Sequence, residues 1–168
     1  WKLGVAVRLV QVEYDKIGEN FYVDTTFGRI NVTSSKNALN GYQKSKCFFC
    51  YDYISIVKKS LNLCNVDHFF PDVLKGKDFS GYVDGIWNLV LSCKDCNRGE
   101  GGKFAKLPTI KLLERLNKRN EYFCSSHHPL RETIMLQTGN TREQRRSFLQ
   151  KCFNEAKKNT YPYMGTKT

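Results

Sequence analysis

The stretch Trp87-Asn88-Leu89-Val90-Leu91-Ser92-Cys93-Lys94-Asp95-Cys96-Asn97-Arg98 decides how this chain is to be understood. Residues 86–92 are a short apolar run of strand character that leads directly into a Cys-x2-Cys pair. A polar segment, 94–105, then has the look of a short helix that Gly99, Gly101 and Gly102 should end early. A matching pair, Cys47-Phe48-Phe49-Cys50, lies upstream, with 42 residues between the two pairs. Zn2+ takes four deprotonated nitrogen or sulfur ligands in a tetrahedron, and each such turn sets two thiolates side by side without strain. Cys47, Cys50, Cys93 and Cys96 are therefore expected to hold a structural zinc that ties the start of a long excursion to its end, the other reading being four free thiols. Cys64, Cys124 and Cys152 fall outside this spacing and read as small core residues.

Inside the excursion two apolar segments, 63–70 and 86–92, flank a loop rich in Gly, Asp and Lys, so strand, loop, strand, helix is the plainest order. Asp67-His68-Phe69-Phe70-Pro71 ends the first strand, Trp87-Asn88-Leu89 opens the second, Cys96-Asn97-Arg98 begins the helix, and Lys103 follows. With the cysteine pairs around it, this order resembles the HNH endonucleases of the ββα-metal fold, in their zinc-knuckle variety, over about residues 36–106. The resemblance implies an α+β fold and a metal-dependent nuclease that hydrolyses DNA phosphodiester bonds to 5′-phosphate and 3′-hydroxyl ends. It implies a module in bacterial or phage-related defence, restriction or CRISPR-type systems, aimed by other domains or subunits. It also gives His68 the part of general base, Asp67 and Asn97 the binding of a catalytic Mg2+ or Mn2+, and Asn88 the bracing of the loop that carries the base.

The chemistry suits those residue types. A neutral imidazole can take a proton from water near neutral pH, best when its other nitrogen is fixed by a hydrogen bond. Carboxylate and amide oxygens are hard donors for an octahedral cation, and Asn97 in place of the family's last His favours Mg2+ over softer metals. Asp67 and His68 are consecutive, so on a regular strand they point to opposite faces, and the strand is expected to end or bend there. Lys94, Arg98 and Lys103 are expected to contact phosphate. Lys75 and Lys77, in the 19 residues between His68 and Asn88, either reach DNA or are simply solvated.

The whole chain of 168 residues has 27 Lys and Arg against 16 Asp and Glu, a formal charge of +11. Residues 94–168 hold 16 of the basic and 7 of the acidic residues, and such a surface attracts polyanions. No apolar run is long enough to span a membrane, and with no secretory segment at Trp1 a cytoplasmic location is expected. The chain opens on Trp1 and not on Met, and the sequence leaves open whether it is a whole protein or a piece of a longer one. Its expected parts are a strand-rich segment 1–35, the nuclease core 36–106, a helical extension 107–160 and a tail 161–168. Helices are expected after Pro108, with Ile110, Leu112, Leu113, Leu116, Tyr122 and Phe123 on one face, from Pro129 to Leu136, and after the capping box of Thr141 and Gln144. His127 and His128 point apart and suggest capping or packing, while Arg142, Arg145, Arg146 and Lys151 form either a DNA-backbone stripe or a solvated face. Two other functions fit the same residues: a zinc-knuckle module that binds nucleic acid without cutting it, and an RNA-cleaving member of the same fold.

Overall fold

The structure is a computed structural model that describes the backbone of residues 11–15, 20–25, 28–31 and 33–160, with side chains from 36 to 160. The first ten residues of the strand-rich segment and the tail at 161–168 lie outside the described residues. An antiparallel sheet comes first, with β1 (Gln11–Asp15), β2 (Asn20–Thr25) and β3 (Gly28–Asn31) in that order. Helix α1 (Thr33–Gln43) follows. Lys44 and Ser45, both with left-handed φ, turn the chain out of it into the first cysteine pair.

The centre of the molecule is an antiparallel hairpin of β4 (Asn65–His68) and β5 (Leu89–Ser92), in which Asp67 faces Val90 and His68 faces Leu89. Two strands alone are marginal in water, and two side chains and one backbone N–H from elsewhere in the chain bond to this pair. Gln43 donates to the Leu91 carbonyl (2.8 Å) and accepts from the Leu91 N–H (2.9 Å). Phe48 N–H shares the same carbonyl, and Arg119 donates to the carbonyls of Leu89 and Trp87. All four residues of β5 are buried.

Beyond the hairpin come α2 (Lys94–Arg98), α3 (Ile110–Ser125), α4 (Arg131–Thr138) and α5 (Arg142–Asn159). Helix α2 stops at Arg98, with Gly99 as its cap, so the glycines end it early as expected, and the chain folds back over it. Lys103 N–H bonds the Cys96 carbonyl (2.7 Å), Phe104 N–H bonds the Asn97 carbonyl (3.2 Å), and a Cβ on Gly99 or Gly102 would run into the Asp95 backbone. Pro108 precedes the first turn of α3, and Thr109 takes the cap position.

The buried stripe of α3 runs through Leu112, Leu116, Arg119 and Phe123 at helical spacing, so Ile110 and Tyr122 are turned outward, Tyr122 to 52% exposure. Helix α4 begins at Arg131, two residues later than expected, with the Leu130 N–H bonded to His128 Nδ1 (3.2 Å). The capping box of α5 forms as its sequence signature predicts, with Thr141 Oγ1 accepting from Gln144 N–H (3.2 Å) and Gln144 Oε1 accepting from Thr141 N–H (3.0 Å). Trp87, fully buried, joins the layers: its ring meets Phe70 and Phe148, and Gly81 leaves it room, since a Cβ there would sit 2.9 Å from the indole. Among the described residues no helix is long and apolar enough to cross a membrane.

Candidate functional site

The two Cys-x2-Cys turns meet at the end of the hairpin. The sulfurs of Cys47, Cys50, Cys93 and Cys96 all lie within 4.8 Å of one another, with Cys50 and Cys93 at 3.7 Å. A tetrahedral site with metal–sulfur bonds of about 2.3 Å has an edge of about 3.8 Å. Backbone N–H groups already point at the sulfurs, from Cys93 to Cys47 Sγ (3.3 Å), from Cys96 to Cys93 Sγ (3.4 Å) and from Asp52 to Cys50 Sγ (3.4 Å). The hydrogen bond from the Cys96 thiol brings Cys47 down to about 5, while burial pushes Cys50 up to about 12, and Cys96 is raised by its bond to Cys47 and by burial. Four sulfurs this close cannot all ionise without a cation among them. The cluster can hold a structural metal ion. Helix α3 steadies it from outside: Arg115 lies 4.0 Å over the Tyr51 ring and donates to the carbonyls of Phe48 and Phe49.

Between the two pairs, Asp67 and His68 are the last two residues of β4, so the strand ends where the sequence led one to expect. Asp67 is buried, with Lys103 Nζ 3.5 Å from its Oδ1, and its Oδ2 has no partner among the described residues. Burial raises Asp67 despite the attraction of Lys103, and burial lowers Lys103 despite the attraction of Asp67. Both shifts have one cause, the burial of the pair, which outweighs the attraction between the two groups. A buried oxygen whose lone pairs no hydrogen bond uses suits a hard divalent cation. Asn97 stands on α2, which packs against β4, and its side chain is partly exposed.

His68, on the following residue, turns to the long loop, where its Nε2 lies 3.0 Å from Asp84 Oδ1. Lys75 bridges Asp84 (2.8 Å) and Asp72 (2.5 Å), so it is held within the loop. Burial pushes Asp84 up, but hydrogen bonds from His68 and Lys75 outweigh it and leave the carboxyl below its ordinary range. Asn88, fully buried, closes the same loop. Its Nδ2 donates to the carbonyls of Phe70 (2.9 Å) and Val83 (2.7 Å), and its Oδ1 accepts from Phe70 N–H (2.7 Å).

Several residues singled out in the sequence stand elsewhere. Lys94, Arg98 and Lys77 are not buried, whereas Lys103, expected to contact phosphate, is 1% exposed and spends its ammonium on Asp67 and the Phe104 carbonyl (2.9 Å). Arg145 is buried in a two-bond fork with Glu121, both at 2.7 Å, which removes it from the α5 stripe of Arg142, Arg146 and Lys151. His128 stacks on Phe123 at 4.3 Å. Cys64, Cys124 and Cys152 are buried.

Sequence reasoning missed Asp84, Gln43, Arg115 and Arg119, and it gave Lys75 to DNA or solvent where the structure pairs it with Asp72 and Asp84. Asp72, Asp78 and Asp84 look alike in a polar loop, and only the folded loop selects one of them for the imidazole. Comparison with protein-family models, with curated proteins and with solved structures finds nothing that matches this chain.

Proposed function

We propose that the chain is a nuclease of the HNH type that hydrolyses phosphodiester bonds of DNA with a divalent cation, on a scaffold locked by zinc in the four-cysteine cluster. The observation that carries this reading is the unpartnered Oδ2 of buried Asp67, one residue from an imidazole whose Nε2 is already engaged. Asp67 and Asn97 would hold the cation, Mg2+ or Mn2+, which when bound supplies Lewis-acid stabilisation of charge on the leaving oxygen. His68 takes a proton from water as its oxygen bonds to phosphorus, and the bond from phosphorus to the 3′ oxygen breaks. That oxygen then takes a proton from solvent. Lys94 and Arg98, on the helix beside the site and open to solvent, serve to attract the phosphate backbone. The defence or restriction setting, with other domains or subunits that aim the module, is part of the same proposal.

Nicking of supercoiled plasmid with Mg2+ or Mn2+ tests the assignment. The parent is expected to nick, and His68→Ala to do so at least about 100-fold more slowly, the usual share of general base catalysis. Equal cutting by both proteins overturns it. Cleavage of single-stranded RNA with duplex DNA left intact would move the substrate to RNA. Binding of DNA without cleavage of either nucleic acid would favour a non-catalytic module.

A further inference from the structure

We infer that Asp84 is the positioning residue for His68, fixing the imidazole with its proton on Nε2 and its Nδ1 bare for the attacking water. This inference rests on the nuclease reading for its catalytic meaning, but its geometry stands alone. The Nε2 to Oδ1 distance is 3.0 Å, and each side chain is 17% exposed, so solvent competes weakly for the bond. An ionised carboxylate only accepts hydrogen bonds, so the nitrogen facing it must carry the proton. Lys75, 2.8 Å from the same oxygen, holds that carboxylate in its ionised form.

The backbone around Asp84 is held on both sides. The Val83 carbonyl takes a bond from Asn88, and the Tyr82 carbonyl takes bonds from Gly85 N–H (2.9 Å) and Trp87 Nε1 (3.1 Å). Further back, Ser80 is fastened to α5 by its N–H and hydroxyl, both 2.7 Å from the Glu155 carboxylate. A carboxylate mounted this firmly sets the ring's orientation, and a ring turned away from its line of attack loses rate steeply. Asp84 also stabilises the imidazolium that forms when His68 takes its proton, and the proton stays on the ring.

The test joins kinetics to a spectroscopic readout. 15N correlation spectra of the parent, recorded in the neutral form of the ring, should show His68 protonated at Nε2 and bare at Nδ1. Asp84→Asn and Asp84→Ala should mix the tautomers and lower kcat roughly 100-fold with KM within about twofold, and Asp84→Glu should recover most of kcat. A parent spectrum with the proton on Nδ1 overturns the inference even if no variant folds. So do Asp84 variants with parental kcat and an unchanged tautomer. If instead His68→Ala cuts as fast as the parent, the nuclease reading falls while the tautomer measurement still decides the role of Asp84.

Discussion

Asn88 uses its whole side-chain amide on backbone groups of one loop, as donor to two carbonyls and acceptor from one N–H, with no access to water. Aspartate has no donor for the two carbonyls, and alanine leaves three buried polar groups unsatisfied. Each such group costs roughly 1–3 kcal/mol, so Asn88→Ala should destabilise the chain by about 3 kcal/mol or more. Asn88→Asp should cost still more, because it sets a carboxylate against carbonyl oxygens. Denaturant titration measures both, and a midpoint for Asn88→Ala equal to the parent's would show that the loop does not need the brace. The Trp-Asn-Leu step makes this residue legible in the sequence itself. Asp84 is not legible there, because which carboxylate meets His68 depends on how the loop closes, and that closure is what Asn88 and the Tyr82 carbonyl determine.

Among the elements, β4 shows why strand limits are harder to foresee than strand existence. Its apolar pattern runs over 63–70, yet only Asn65–His68 is strand. Leu63 pairs in parallel with Ser55 instead, and Asn88 draws the backbone of Phe70 out of the ladder. In α3, Arg119 sits where the periodicity calls for an apolar residue. Its acceptors belong to a segment about thirty residues earlier, which no local pattern reveals. The short strand nevertheless divides its residues cleanly, Asp67 toward Lys103 and His68 toward the loop. That division makes a second prediction. Breaking a buried ion pair from one side strands the other charge at a cost of about 3–5 kcal/mol. Without divalent cation, Lys103→Met and Asp67→Asn should each be strongly destabilising, and the double variant less so than the sum, with a coupling of about 1–3 kcal/mol. Additive unfolding energies across the four proteins would mean that the two side chains do not sense each other.

At the scale of the molecule, the cysteine cluster joins two chain segments that the hairpin and its long loop separate, and everything proposed for the site lies between or just beyond them. The pairing is legible because matched spacing is a chemical constraint, whereas the burial of Lys103 and Arg145 in a chain of +11 is not, since charge counts do not say which cations face solvent. A cross-link that spans 42 residues restricts the unfolded chain by an amount worth about 4 kcal/mol in the loop-entropy description. Metal–thiolate bonding adds to this, since binding free energy at such a site is folding free energy. Elemental analysis of the folded protein should find about one zinc per chain. Stripping it with a strong chelator under reducing conditions should lower the thermal midpoint by well over 10 °C, roughly what several kcal/mol amounts to in a domain of this size. Cys47→Ser and Cys96→Ser should reproduce the loss without chelator, because each removes a buried member of the cluster. Cys124→Ser should leave zinc content unchanged, as its sulfur lies outside the four. A folded chain free of zinc, or one whose midpoint is indifferent to chelation, would leave the hairpin to be held by Gln43, Arg119 and the aromatic core alone, and the zinc would have to be given up.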